Sequence, residues 1–322
     1  MAEPAVIVRD VAAAVGLAEG ESGVRAVVSA LVRLEPVAIR RISRVVELPV
    51  PIVASICGEL RKRRVVAEER PAQLTAAGRE LFAGGALRLP DEAELRSLRR
   101  ELKEIADAAP PPAVALDQCH CTLETKLRRV LAFHEADALV GRRILLLGDD
   151  DLTSVAIRLF VKRFGSDTTI AGLTVVDVDP ALVAFVGDDL RGAPFPSECV
   201  AHDLREPLPR ALRQGFDTVV TDPPYTTAAG RLFLSRAAEA LAGPGGRVFL
   251  SFGSRRPGVS FALQQAIAEG GFAIRELVRD FNSYLGAGVL GGTSHLYHLS
   301  ATSELRPLVT GRYGGPLYTA EL

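Results

Sequence analysis

Residues 148–151 read Gly-Asp-Asp-Asp and follow an apolar run, Arg143–Leu147. A glycine between an apolar strand and a helix marks a turn where backbone N–H groups approach a bound anion. Three carboxylates, Asp149, Asp150 and Asp151, invert that preference, since they repel an anionic ligand end and attract a cationic one. One aspartate suffices to cap the helix expected from Leu152. Three adjacent ones repel each other, so capping alone does not account for them. Further along stands Thr-Asp-Pro-Pro-Tyr-Thr, residues 221–226. Its two prolines fix φ and stiffen the turn without asking for backbone donors, which aims Asp222 and Tyr225. An attacking amine needs acceptors for its N–H hydrogens. The Asp222 carboxylate and a proline carbonyl supply them, while the tyrosine ring packs against the substrate.

The elements around these motifs alternate. Strands are expected at 143–147, 170–176, 197–201, 216–220 and 247–252, with helices beginning near Leu152, Pro180, Glu206, Ala228 and Val259. Two last strands follow, at 272–281 and 294–300. Such alternation gives an α/β doubly wound sheet with its ligand crevice beyond the carboxyl ends of the strands. Five α/β units plus a terminal hairpin resemble the class I methyltransferase (Rossmann-like) fold. Asp177 then ends the second strand, placed to grip two ribose hydroxyls in a charge-assisted bidentate contact. Asp179 beside it reads as the cap of the next helix. Asp203 ends the third strand, near the expected adenine amine. Gly148, Asp177, Asp203 and Pro223 make up the cosubstrate side of the crevice.

S-adenosylmethionine has a carboxylate that rests near the glycine turn, where three aspartates would repel it. Its decarboxylated form ends instead in an ammonium. A carboxylate–ammonium pair at 4 Å attracts by roughly 4 kcal/mol at an effective ε near 20. Asp149 and Asp150 are expected to hold ammonium groups of donor and acceptor. Asp151 or Asp222, with Asp151 preferred, accepts the proton of the attacking amine. Positioning supplies much of the remaining rate, and no cofactor is expected beyond that cosubstrate.

Together, "GDDD" and "DPPYT" resemble the branched-chain polyamine synthases, the N(4)-bis(aminopropyl)spermidine synthases. The likeness continues in "LDQCHCTLETKLRRVLAF", 116–133, and in "GRYGGPLYT", 311–319. It implies transfer of aminopropyl groups from decarboxylated S-adenosylmethionine to the secondary nitrogen of spermidine or a related polyamine, with release of methylthioadenosine. Within the family-like segment, Gln118 and Glu124 are expected to touch substrate. Two other readings stand beside this one: an amino-methyltransferase acting on a nucleobase or protein side chain, and a winged-helix regulator that senses polyamines.

The loop "NSYLGAGVLGGT", 282–293, opens on the crevice edge if the strand before it runs parallel to the rest. It is either a gate over the acceptor with Tyr284 at its tip or a plain hairpin loop. Cys119, His120 and Cys121 are adjacent and cannot close a tetrahedral site without distant partners, so no metal is expected. His295 and His298 fall on opposite faces of a strand.

Residues 1–90 read as helices followed by a short hairpin, a winged-helix-like α+β domain with 50–62 as its recognition helix. Arg40, Arg41, Arg44, Arg61, Lys62, Arg63 and Arg64 are countered by Glu47, Glu59, Glu68 and Glu69. Nucleic acid is therefore not an expected partner, and a scaffold or homodimer role is. Residues 91–117 form a charged helical linker ended by "APPPAVAL", 118–302 the catalytic domain, and 303–322 a tail without periodic pattern that is a second candidate cover for the site. The 322 residues carry a net charge of −1, with 48% hydrophobic and 24% charged residues, which gives no bulk attraction for nucleic acid. Cys57, Cys119, Cys121 and Cys199 are too sparse for a disulfide framework. No stretch approaches the roughly 18 to 20 apolar residues of a membrane span. Early acids and the lack of a basic n-region argue against a signal peptide, so a soluble, cytoplasmic enzyme is expected.

Overall fold

The computed structural model describes residues 3–17, 20–82, 87, 89–166, 169–253, 256–286 and 292–321. Its contacts divide the chain into two units, 1–86 and 87–322.

In the first unit, α1 (Pro4–Val15), α2 (Gly20–Leu34), α3 (Ile39–Val46), α4 (Val50–Lys62) and α5 (Ala76–Phe82) enclose one core. Val24, Val27 and Leu31 recur at helical spacing on α2 and meet Ile42, Val53, Ile56 and Leu60 there. The expected hairpin is reduced to two antiparallel bridges, Val37 to Ala72 and Val66 to Leu74. Part of the basic character near α4 is spent locally, since Lys62 and Arg63 both pair with Glu59 at 2.6 Å.

The second unit begins with α6 (Glu92–Asp107), opened by an Asp91/Glu94 capping box. The stretch expected as an exposed linker is not one. Leu98 and Leu102 are fully buried and pack in the core of this unit, with Ile105 against them. Their i, i+4, i+7 spacing is an apolar stripe that the surrounding charges obscure. Then follow α7 (Leu123–Glu135), β1 (Arg143–Leu147), α8 (Thr153–Phe164), β2 (Gly172–Asp177), α9 (Pro180–Leu190), β3 (Ser197–Ala201) and β4 (Thr218–Thr221). After β4 come α10 (Thr227–Ala240), β5 (Arg247–Phe252), α11 (Pro257–Glu269), β6 (Phe272–Ser283) and β7 (Thr293–Ala301). The helix expected near Glu206 is only a single 3₁₀ turn at Arg210–Leu212, because Pro207 and Pro209 interrupt it.

The seven strands lie in the order β3-β2-β1-β4-β5-β7-β6. Strands β1 to β5 are parallel, while β7 runs antiparallel to both β5 and β6. β6 is therefore parallel to β1–β5, and its carboxyl end opens on the same edge as theirs. Helices on both faces explain why β4 is buried along its whole length and β1 from Ile144 on. β1 pairs with β2 on one side and β4 on the other, the switch point where α/β sheets bind ligands. Leu147 and Thr221 are register partners there, and Thr221 Oγ1 donates to the Leu147 carbonyl at 2.8 Å. That register brings the Gly-Asp-Asp-Asp and Asp-Pro-Pro-Tyr turns side by side.

Candidate active site

A cleft of about 500 Å³, its open mouth included, lies over the carboxyl ends of β1, β2 and β4. Asp150, Asp177, Asp203 and Asp222 line it, with Gly148, Gln118 and Pro224 between them. Leu204, Phe233, Leu317 and Tyr318 give it apolar walls. None of its described lining residues is basic.

Gly148 turns the chain with φ +78°, the left-handed region that glycine enters freely. The three aspartates that follow have three different surroundings. Asp149 is 2% exposed and faces α8, where its carboxylate accepts the N–H groups of Thr153 (2.8 Å) and Ser154 and the Ser154 hydroxyl. The role expected for it, holding an ammonium, is not the one it has; it caps the helix. Burial outweighs those donors and raises its carboxyl to about 7. Asp150 faces the cleft and accepts the Cys119 N–H at 3.0 Å. Burial and the neighbouring charges of Asp151 and Asp222 push its carboxyl well above the usual range.

Asp151 is 3% exposed and engaged through both oxygens: the Cys121 N–H reaches Oδ1, and Arg129 Nη1 reaches Oδ2 at 2.7 Å. Burial alone would raise its carboxyl, but Arg129 and Lys126 hold it down to about 2. A carboxylate so strongly ionised and so enclosed is a poor proton acceptor. The preference for Asp151 in that role is thus corrected, and the reachable acids are Asp150 and Asp222. Leu152, which closes the turn, is buried with φ +52°, an uncommon conformation for a bulky residue.

Across the cleft, Asp222 accepts Tyr225 Oη at Oδ1 (3.0 Å) and both Arg129 Nη2 (2.7 Å) and Tyr284 Oη (2.6 Å) at Oδ2. Burial raises Asp222 to about 7, against the pull of Arg129. The Tyr225 and Tyr284 hydroxyl oxygens also stand 2.7 Å apart, and burial keeps both phenols neutral, each with one proton to donate. Tyr225 packs on Phe252, with ring centroids 5.3 Å apart, so it braces Asp222 instead of standing free for substrate. Tyr284 lies just beyond β6, at the base of its loop and not at a tip; the loop residues 287–291 lie outside the described ones. Of the two prolines, Pro224 lines the cleft and Pro223 is buried beneath it, which corrects the placement of Pro223.

Asp177 is aimed by its own neighbours, accepting the N–H of Asp149 (3.0 Å) and of Asp179 (2.9 Å). Asp179 caps α9 and accepts Gln118 Nε2 at 3.1 Å, which seats Gln118 in the cleft wall. Asp203 accepts the Arg205 N–H at 2.9 Å. Glu124 does not reach the cleft: its side chain is 58% exposed and pairs with Arg99. It shares α7 with Lys126 and Arg129 but points to the solvent side. The Cys119 and Cys121 N–H groups hold the acidic turn, while the Cys119 thiol donates to the Leu285 carbonyl at 3.3 Å and the Cys121 sulfur accepts Lys126 Nζ at 3.7 Å; among the described residues no three potential ligands gather for a metal.

Arg129, Lys126, Asn282 and Tyr318 belong to this region and are absent from the sequence expectations. Lys126 Nζ donates to the Asp151 carbonyl, a buried cation under the acidic turn. The tail that carries Leu317 and Tyr318 is tied down by Thr319 on Asp117, by Glu321 on Arg205 and by Thr226 on the Leu317 carbonyl. A buried Lys126–Arg129 pair, three apart on an apolar helix face with Leu127, Val130 and Phe133, was the available signal.

Together, the 3-2-1-4-5-7-6 strand order and the acid-lined cleft over its switch point define a doubly wound α/β protein of class I methyltransferase-like topology. The sequence model of the branched-chain polyamine synthase A C-terminal domain matches residues 97–303, and the chain belongs to the branched-chain polyamine synthase family. It is 31% identical over 271 residues to the N(4)-bis(aminopropyl)spermidine synthase of Thermococcus kodakarensis, covering 79% of this chain and 75% of that one. It is also 31% identical over 312 residues to an uncharacterized protein of Methanocaldococcus jannaschii, covering 91% and 77%. Among solved structures it resembles the branched-chain polyamine synthase of Thermus thermophilus in complex with N4-aminopropylspermidine and 5′-methylthioadenosine. That match has a TM-score of 0.62 at 26% identity and covers 98% of both chains. Among the described residues no helix is long and apolar enough to cross a membrane.

Proposed function

We propose that this chain is an aminopropyltransferase that moves aminopropyl groups from decarboxylated S-adenosylmethionine to the secondary amine of spermidine or a related polyamine. The observation that carries this reading is the lining of the cleft: four carboxylates, Asp150, Asp177, Asp203 and Asp222, and no basic residue among those described. A carboxyl-bearing donor would find no cation there to meet its charge. A sulfonium with an ammonium tail, and a polyamine beside it, would find an anionic wall. Each close pair in such a site attracts by about 4 kcal/mol at 4 Å.

In this reading Asp177 holds the ribose hydroxyls, Asp203 the adenine amine, and Leu204, Phe233 and Tyr318 the flat faces of the base. Asp150 takes the ammonium of the donor chain. The neutral acceptor nitrogen attacks the carbon beside sulfur; the C–N bond forms, the C–S bond breaks, and its electron pair leaves neutral methylthioadenosine. The proton shed by the nitrogen goes to Asp222, whose carboxyl, raised to about 7, suits proton transfer near neutral pH. No cofactor beyond the cosubstrate enters this chemistry. An amino-methyltransferase would share the Asp-Pro-Pro-Tyr turn but not the acidic lining, so that reading is not favoured.

Mass spectrometry tests it directly. The protein incubated with spermidine and the decarboxylated donor should yield spermidine bearing added aminopropyl groups, while S-adenosylmethionine yields no methylated product. Calorimetry showing tighter binding of the carboxyl-bearing donor would overturn the reading.

A further inference from the structure

Arg129 is fully buried at the back of the cleft, 2% exposed, and touches no lining surface of its own. Its guanidinium joins three parts of the site. Nε donates to Asn282 Oδ1 at 2.9 Å; Nη1 to Asp151 at 2.7 Å and to Thr153 Oγ1 at 3.3 Å; Nη2 to Asp222 at 2.7 Å and to Tyr284 Oη at 3.3 Å. Asn282 is itself fixed, its amide donating to Ser251 and Ser294 hydroxyls at 3.0 and 2.9 Å. The fork is therefore held by the protein's own groups. A planar guanidinium spans two carboxylates and an amide oxygen in set directions, which an ammonium does not. A purely structural ion pair would need one acid; this one bridges the acid turned away from the cleft to the acid turned toward it.

We infer that Arg129 is a positioning residue for the transfer reaction: its fork clamps Asp222 against the inward acid Asp151 and keeps the cleft-facing carboxylate charged and aimed at the acceptor nitrogen. This rests on the aminopropyl-transfer reading. The charged and titratable groups that face Asp222 come from every neighbouring element: Arg129 from α7, Cys119 from the segment before it, Asp150 and Asp151 from the turn after β1, Tyr225 from its own turn, and Tyr284 from the end of β6. Among these only Arg129 is a cation. Removing it leaves the repulsion from Asp151 and Asp150 unopposed, so Asp222 should take up its proton at higher pH.

The full chain with Arg129→Gln or Arg129→Lys tests this through kcat/KM against pH. The ionisation of the acceptor amine is common to all forms, so any difference in profile belongs to the protein. In R129Q the acidic limb should move at least about one pH unit to the alkaline side, the size expected when an opposite charge is removed. Donor KM should change less than kcat, because Arg129 acts on Asp222 and not on the donor-binding acids. R129K keeps the charge, so its limb should stay near that of the wild type while kcat falls. In R129A, added guanidinium ion should restore turnover better than tetramethylammonium. A uniform loss at every pH in R129Q, with the limb unmoved, overturns the inference; so does R129K with full kcat, which also decides the matter if the neutral variants do not fold. If the wild type transfers no aminopropyl group, the functional reading fails separately. The ¹³C carboxyl resonance of Asp222 then decides the inference, since titration at equal pH in wild type and the Arg129 variants overturns it.

Discussion

The turn after β1 and the turn after β4 both present carboxylates to one cleft, and they do so by opposite means. The first, Gly148 to Asp151, has three identical side chains on a backbone that twists through positive φ at Gly148 and again at Leu152. Each aspartate therefore leaves in a different direction: one into the α8 terminus, one into the cleft, one back onto Arg129. The second, Asp222 to Tyr225, has one acid on a proline-stiffened backbone and surrounds it with donors. Charge in the first turn is divided among jobs, whereas in the second it is concentrated on one. A repeated residue is thus weak evidence for a repeated role, and a constrained single residue is strong evidence for its place.

Substitutions separate the two turns. The largest effect is expected for Asp222→Asn, a loss of about 10²- to 10⁴-fold in kcat if it takes the proton. Asp150→Asn should instead act mainly on donor KM. Equal behaviour of these two variants in both constants would erase the distinction between the turns. Asp151→Asn leaves Arg129 short of a buried partner and should cost about 3–5 kcal/mol of stability, read as a lowered Tm or urea midpoint. A fully stable Asp151→Asn with wild-type Tm would mean that the Arg129–Asp151 pair contributes nothing to stability.

Asp149→Ala should cost about 0.5–2 kcal/mol, the usual value of a helix cap, with donor KM little changed. Asp149 also carries a pH signature. Its folded carboxyl is raised from 3.8 to about 7, so the protonated form stabilises the fold fully below about pH 4, and that contribution is lost as pH rises through 7. Asp149→Asn should flatten the fall in Tm across that window; an unchanged slope would count against burial as the cause. The smallest effect is expected for Tyr284→Phe, which removes one of three donors to Asp222 and should cost about 0.5–1.5 kcal/mol in the barrier or in stability.

The alternation of strands and helices, the crevice beyond the strand carboxyl ends and the position of the Asp-Pro-Pro-Tyr turn were legible in the sequence, because apolar runs and prolines constrain backbone regardless of context. The division of labour among Asp149, Asp150 and Asp151 was not, since side-chain direction there depends on two positive-φ residues, one of them a leucine. Arg129 was hidden for a different reason. It stands next to Arg128, and adjacent basic residues read as a solvated run; on the helix Arg128 turns toward Phe281, its guanidinium 4.4 Å from that ring, while Arg129 turns inward. Glu124 was assigned by its proximity to a motif, whereas helical phase sends it outward. Pro223 and Pro224 are chemically the same residue, and only the backbone path decides which one meets the cleft.

The last residues bear on how the protein is handled at the bench. Leu317 and Tyr318 form part of the ligand wall, and Glu321 is latched to Arg205 a few positions later. A histidine tag placed shortly after Glu321 would start from this wall, with its imidazoles within reach of the acid-lined opening. Kinetic comparisons are best made on protein purified through an amino-terminal handle or with the tag cleaved.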